Sequence, residues 1–331
     1  MAFTADQLNQ VYAVVPSAIE KEIINQLLVT TALLNTVTKK PILEYFDGGA
    51  DIQIPVQKAK NKSGGFFSGG FDQRDISSNQ LITNAKFDLK YQDYSVTTTL
   101  KEIALTSGAN AVVSLIEEKV KLAAQDAANV MAEGLFGSGS DSDGFAINGF
   151  TDIFAASGTA YGGLTNTDFD DNTTWLTEID TSTNTINFAN INGLVGKLIN
   201  KGGQRYAPKL MISNSYVQDK FLNSQQSQQR FTSENDLKSG FAGVKFRNID
   251  WFVDEYCQGS GDAAVDDNHL YIIAPETMSL KYKYGFEGKN APTNMNAPLP
   301  NQSAVLSKHD MAYNLVCKAR RYNGVFKNLQ S

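Results

Sequence analysis

The sequence predicts an α+β fold in which an extended hairpin arm, a long helix and an α/β lobe follow one another. Three observations predict it. Two stretches alternating apolar with polar residues, at 52–56 and 85–100, flank a segment punctuated by Gly64, Gly65, Gly69 and Gly70, the pattern of two strands around a long flexible turn. Residues 110–136 carry apolar side chains at the helical period. Residues 186–284 then switch repeatedly between helical and strand patterns. An arm of this kind cannot bury both its faces within its own chain, so the sequence reads as one tile of an assembly.

Taken in order, residues 17–37 place Ile19, Ile23, Ile24, Leu27, Leu28, Ala32 and Leu34 on one helical stripe, with Pro16 just ahead and Pro41 beyond. That stripe needs a partner surface, from its own chain or a neighbour's. Ile52, Ile54 and Val56 alternate as a strand before the Lys, Ser and Gly of the turn. Phe66 and Phe67 sit between the glycine pairs, where paired aromatics are costly to leave in water. Two readings of the pair stand side by side: contact with another subunit, or rings tucked back onto their own hairpin. On the return limb Ala85, Phe87, Leu89 and Tyr91 share one face. Tyr94, Val96, Thr98 and Leu100 share one in the shifted register, which places a bulge at Gln92 and Asp93.

Ser107 or Asn110 is the expected cap of a helix reaching Phe136, with Val112, Leu115, Ile116, Lys119, Ala123, Ala127, Val130 and Met131 following its period. At ~1.5 Å per residue it would be about 40 Å long. Gly134 and Gly137 weaken and end it. Residues 165–187 are dense in Thr, Asn and Asp and read as a surface ribbon anchored by Trp175. The lobe beyond is expected to hold helices at 189–201 and 215–223, with strands at 209–213, 249–257 and 270–273. Pro292, Pro298 and Pro300 suggest a loop, and residues 311–326 closing strands.

Composition narrows the function classes. At 331 residues the chain is long enough for two lobes, since single cores stop growing near roughly 250–300 residues. No apolar run approaches the ~20 residues of a membrane span, and the first ten residues carry neither a basic start nor an apolar signal core, so neither membrane insertion nor export is expected. The net charge of -6 is dispersed, and only Lys58, Lys60 and Lys62 form a basic run, too little for tight nucleic-acid binding. Cys257 and Cys317 lie far apart in β-like apolar contexts and read as buried thiols.

Catalytic constellations are missing. His269 and His309 are the two histidines; no Gly-x-Ser-x-Gly elbow, phosphate loop or His-Glu-x-x-His motif accompanies them. Asp141, Asp143 and Gly144 resemble the start of a calcium loop. Phe145 occupies the third ligand place, however, and no Glu closes the loop. Asp168, Asp170 and Asp171 lack the turn glycine. Solvated loop acids are the better reading of both clusters, and neither a metal, a cofactor nor a catalytic residue is expected.

Four local stretches carry a family resemblance: FDLKYQDYSVTTTLKEIALTS at 87–107, LFGSGSDSDGFAINGF at 135–150, PKLMISNSYVQDKF at 208–221 and SGFAGVKFRNIDWFVDEY at 239–256. With the order of parts, they make the chain resemble the major capsid proteins of tailed bacteriophages that share the HK97 fold. The resemblance implies an N-arm (1–49), an extended E-loop hairpin (51–90), a P-domain (91–185) with a long spine helix (110–136), an α/β A-domain (186–289) and a return to the P-domain (290–331). It implies self-assembly into pentamers and hexamers of an icosahedral shell around phage double-stranded DNA, held without sequence-specific binding. Implied inter-subunit contacts are Lys58, Lys60, Lys62, Phe66, Phe67 and Arg74 of the E-loop and Ile23, Leu27 and Leu34 of the N-arm. A portal is an implied partner, with scaffolding or decoration proteins beside it. The implied location is the virion capsid, assembled in the host bacterial cytoplasm.

Some members of that family join an E-loop lysine to a neighbour's asparagine beside a buried carboxylate. The amine must be neutral to attack an amide, so it needs burial and a proton acceptor. Lys58, Lys60 and Lys62 would offer amines, and Asn301 or Asn314 amides. Beyond Glu287 the chain's only acidic side chain is Asp310, so non-covalent locking is expected. Two alternatives accompany the capsid reading: an encapsulin-like nanocompartment, and a non-viral β-rich binding or hydrolytic protein.

Overall fold

The computed structural model describes residues 31–39, 41–61, 66, 69, 80–106, 115–181, 186–225, 244–257, 268–287, 289, 291–292, 295–298 and 302–329. In chain order these form α1 (Ala32–Val37), β1 (Leu43–Tyr45), β2 (Ile52–Gln57), β3 (Ile82–Phe87), β4 (Lys90–Thr99), α2 (Leu100–Thr106) and α3 (Leu115–Phe136). The short helix α4 (Phe150–Ile153) precedes β5 (Glu178–Asp180), α5 (Phe188–Gly202), β6 (Leu210–Ser213), α6 (Ser215–Gln225), β7 (Val244–Phe246) and β8 (Ile249–Val253). The chain closes with β9 (Asn268–Ile273), β10 (Met278–Tyr284), β11 (Met295–Pro298), β12 (Ala304–Cys317) and β13 (Gly324–Leu329). Two compact units result. The larger comprises Val29–Gln92, Ala128–Ala291 and Asp310–Ser331; the smaller comprises Met1–Leu28, Asp93–Ala127 and Pro292–His309.

The larger unit is organised by a six-stranded mixed sheet of order β5-β13-β9-β6-β8-β7. Its central strand β6 is buried at all four positions. Strand alternation sends Met211 to one apolar cluster and Leu210 and Ile212 to the other. The first cluster is roofed by α5 and α6. Ile191, Leu194, Val195 and Leu198 recur at helical spacing and pack with Val217, Phe221, Trp251 and Ile272. Asn187 caps α5 by accepting from the Asn190 N–H (2.9 Å), and Gly203, at φ +57°, ends it. The opposite cluster takes Met131, Leu135 and Phe136 from the end of α3, with Phe150 and Phe154 against Tyr271.

In the same unit β1 runs parallel to β10, and β10 pairs antiparallel with the last residues of β12, in the register Leu43↔Leu280↔Leu315. Glu44 faces Lys281 in that register, and its carboxylate accepts from Lys281 and Lys318. Burial raises the carboxyl's proton affinity, but the two lysines outweigh it and hold Glu44 below the usual carboxylate range. A depressed folded-state pKa adds stability above the unfolded value and loses it as pH falls through the folded one. Glu44→Gln is therefore expected to lower the urea midpoint at pH 7 and to lie close to the parent at pH 3. Equal losses at both pH values would refute the ion-pair account.

The smaller unit is built by β11 and the first residues of β12, an antiparallel pair in the register Met295↔Lys308 to Pro298↔Val305. Tyr94 stacks on His309 at 5.0 Å. Glu102 caps the start of α2 by accepting from the Thr99 N–H (2.9 Å) and hydroxyl (3.0 Å), and it also receives Lys119 at 3.0 Å.

Several expectations are corrected. The break in the return limb falls at Asp88 and Leu89, not at Gln92 and Asp93, because the Asp88 carbonyl is taken by the Asn314 amide at 2.7 Å. Gln92 and Tyr94 therefore point inward along β4 while Tyr91 points out, and Leu100 opens α2 instead of ending a strand. Val130 is exposed although it follows the helical period; the buried line is Ala127, Met131 and Leu135, four residues apart. Strand β8 stops at Val253, and Cys257 lies in the turn after it, its N–H donating to the Asp254 carbonyl. Pro298 ends β11 instead of lying in a loop. The described part of the long helix begins at Leu115, spanning about 33 Å at ~1.5 Å per residue. Its expected caps, Ser107 and Asn110, and most of the expected helix at 17–37 lie outside the described residues.

Candidate functional site: the hairpin arm and its root

The arm is the two-stranded ribbon β2–β3, in register from Ile52↔Phe87 to Gln57↔Ile82. Ile52, Ile54, Ala85 and Phe87 form its buried face, as the alternation predicts. Pro55 sits on a ribbon with a free edge, where its missing N–H breaks no sheet.

The ribbon is clamped along its length by the loop that follows α4. The Lys86 N–H donates to the Gly162 carbonyl (2.9 Å), and the Asp170 N–H donates to the Lys58 carbonyl (3.2 Å). Phe87 packs on Tyr161 with ring centres 4.8 Å apart. Gly162 is required twice over: its φ is +62°, and a Cβ there would lie 2.6 Å from the Phe87 ring and 3.0 Å from Ala85. Behind the clamp Trp175, buried as expected, donates its indole N–H to the Tyr161 carbonyl at 3.1 Å. Arg320 closes the layer. Its guanidinium donates to the carbonyls of Ile153 (2.9 Å), Ala155 (3.1 Å), Trp175 (3.2 Å) and Asp152 (3.5 Å) beside the Tyr161 ring.

The expected contact residues fall as follows. Lys58 is half-buried at the far end of the paired strands, just past Gln57, and Lys60 is exposed beyond it. Their charges add to the hydrogen bonds from Thr165 and Thr173 that hold the Asp168 and Asp171 carboxyls below the usual range. Asp168 and Asp171 are thus turn caps: the first accepts from the Thr165 N–H at 2.7 Å, the second from the Thr173 N–H at 3.0 Å. Phe66 is fully exposed, which removes it from its own hairpin. Leu34 is half-buried against the core of its own unit. Lys62, Phe67, Arg74, Ile23 and Leu27 lie outside the described residues, as does Asn301.

Asn314 is committed within its own fold. It is fully buried; its carbonyl accepts from the Asn148 N–H (2.9 Å) and its amide donates to Asp88 and Asn148. Cys257 and Cys317 are buried free thiols, and burial pushes both up in pKa. His269 contacts the Tyr271 hydroxyl at 3.1 Å, and His309 contacts Ser307 two residues away on its own strand at 3.3 Å. Among the described residues no group of three His, Cys, Asp or Glu could hold a metal, and no helix is long and apolar enough to cross a membrane.

One feature escaped sequence reasoning. A cleft of about 410 Å³ is lined by Tyr91, Val130, Phe145 and Tyr313, with Glu133 and Asp141 among its polar walls. Its floor turn has Ser142, Asp143 and Gly144 at φ +51°, +57° and +85°, and Lys90 holds it by donating to the Gly144 carbonyl at 2.6 Å. The available signal was one aromatic, Phe145, placed directly after an Asp-Ser-Asp-Gly turn.

No protein-family model matches the sequence, and no curated protein does. The fold has solved counterparts along its whole length. The capsid asymmetric unit of cyanophage A-1(L) superposes with a TM-score of 0.68 at 12% identity, covering 98% of this chain and 99% of that one. The capsid of a native GTA particle gives 0.63 at 12% identity over 99% and 100% of the two chains. The SrpI encapsulin of Synechococcus elongatus gives 0.63 at 9% identity over 100% and 97%. The chain therefore has the HK97-like fold of shell subunits, as the resemblance implied.

Proposed function

We propose that this chain is a major capsid protein that self-assembles into pentamers and hexamers of an icosahedral shell enclosing phage double-stranded DNA. The observation that carries the reading is the end-to-end match to shell subunits. The arm, a clamped ribbon with a fully exposed Phe66 in its turn, supports it. One face of the ribbon is buried in its own chain, and a second subunit would cover the other. Its role is structural, not catalytic. The N-arm (1–49), E-loop (51–90), P-domain (91–185, 290–331) and A-domain (186–289) are the working division. A portal and scaffolding or decoration proteins are the proposed partners, and the virion, assembled in the bacterial cytoplasm, is the proposed location. An encapsulin-like nanocompartment is the second reading, favoured by the SrpI match.

Expression followed by cryo-electron microscopy and a denaturing gel tests this. Closed icosahedral shells are expected, with monomer bands on the gel because the Asn314 amide is already engaged. A uniform small particle without symmetry would sink the shell reading. Shells from the native source holding protein cargo in place of DNA would favour the nanocompartment.

A further inference from the structure

We propose that the cleft of Tyr91, Val130 and Phe145 is a binding site for an aliphatic polyamine, a function separate from shell building. Three large apolar side chains stand exposed around one cavity: Phe145 at 75%, Tyr91 at 68% and Val130 at 59% of their full area. The cavity, about 410 Å³, falls within the roughly 300–1,000 Å³ of small-molecule sites. Every residue that lines it belongs to the larger unit.

Charge and shape select the ligand class. Glu133 and Asp141 line the cleft and are exposed, and Asp143 stands exposed on the same turn. Among the described residues no lysine or arginine forms an ion pair with any of the three. Asp141 accepts from the Ser138 N–H through Oδ2 at 2.7 Å, which leaves Oδ1 for a ligand. Lys90, the lysine of the lining, is engaged by the Gly144 carbonyl at 2.6 Å. Aromatic ring faces attract an ammonium group through their quadrupole, and carboxylates attract it through charge. A metal ion would use the carboxylates and not the rings, while an uncharged apolar ligand would use the rings and gain nothing from the carboxylates. A methylene chain between ammonium groups uses both. Its amines meet Glu133 on α3 and Asp141 on the turn, and its methylenes cover Val130 and the rings of Tyr91 and Phe145.

The test is calorimetric titration of spermidine onto the full-length subunit at low salt. We expect saturable binding that added salt weakens, reduced about fivefold or more by Phe145→Ala and by Glu133→Gln. Both side chains are exposed, so their loss leaves the subunit folded. Because the chain carries a net charge of -6, diffuse attraction needs its own control. Asp219→Asn removes the same charge from α6, on the opposite face of the six-stranded sheet, and should bind spermidine as the parent does. Butylamine, with a single ammonium, should bind more weakly than spermidine, and the dicarboxylate glutarate should not bind. Absence of saturable spermidine binding, equal affinity for Phe145→Ala, or equal losses in Glu133→Gln and Asp219→Asn would each overturn the proposal. All of these are read on the unassembled subunit, so the formation or failure of shells decides none of them.

Discussion

An Arg320→Met subunit is expected to lose about 3–5 kcal/mol of stability, because it strands several buried carbonyls at about 1–3 kcal/mol each, offset in part by the charge no longer buried. Arg320 is 1% exposed, and among the described residues no carboxylate forms an ion pair with it; it serves carbonyls of Asp152 and Ile153 in α4, of Ala155 just after it and of Trp175. Methionine fills much of the volume but leaves those acceptors without donors, each costing about 1–3 kcal/mol. Arg320→Lys should recover little, because an ammonium has three donors around one point and cannot span acceptors spread around a planar fork. Urea unfolding of the isolated subunit reads the loss. A midpoint for Arg320→Met within experimental error of the parent would show that water replaces the guanidinium. Since these carbonyls flank Tyr161, the variant should also loosen the packing of the arm on Tyr161.

Gly149→Ala should be nearly as damaging, for a purely steric reason. Gly149 has an ordinary φ of -98°, so no left-handed strain is involved. A Cβ there would lie 2.4 Å from the Gly137 carbonyl oxygen, 2.5 Å from that of Gly134 and 2.8 Å from that of Leu135. All three are backbone atoms at the end of α3 and cannot rotate aside. Overpacking of this kind costs about 1–3 kcal/mol, and backbone obstruction places this case at the upper end. Gly193→Ala is the matched control. Gly193 lies inside α5 with nothing within 4 Å of its added Cβ, so alanine should stabilise by about 0.5–1 kcal/mol. Thermal unfolding of the two variants should move in opposite directions; a shared direction would contradict the steric account.

What could be read from the sequence follows from which signals are periodic. The alternation of Ile52, Ile54, Ala85 and Phe87 and the spacing of Ile191, Leu194, Val195 and Leu198 come from local geometry, and both are found as expected. The register break at Asp88 was misplaced because Asn314, far along the chain, decides it. Val130 and Phe145 belong to the cleft for reasons that no period encodes: one sits beside the buried line of its helix, the other follows a left-handed turn. Arg320 was likewise invisible. A buried arginine that donates to backbone carbonyls leaves no side-chain pattern in the sequence to betray it.

The place of β13 in the six-stranded sheet bears on timing during synthesis. This strand, ending at Leu329, lies between β5 and β9 and is the partner of β5 among the described residues. A nascent chain that has delivered everything up to β12 still holds an open edge through the middle of its larger unit, and Arg320 is not yet in place. Non-local closure of this kind is slow and comes late. The larger unit therefore completes its sheet only once β13 has emerged, and a chain cut before Gly324 leaves β5 and β9 unjoined.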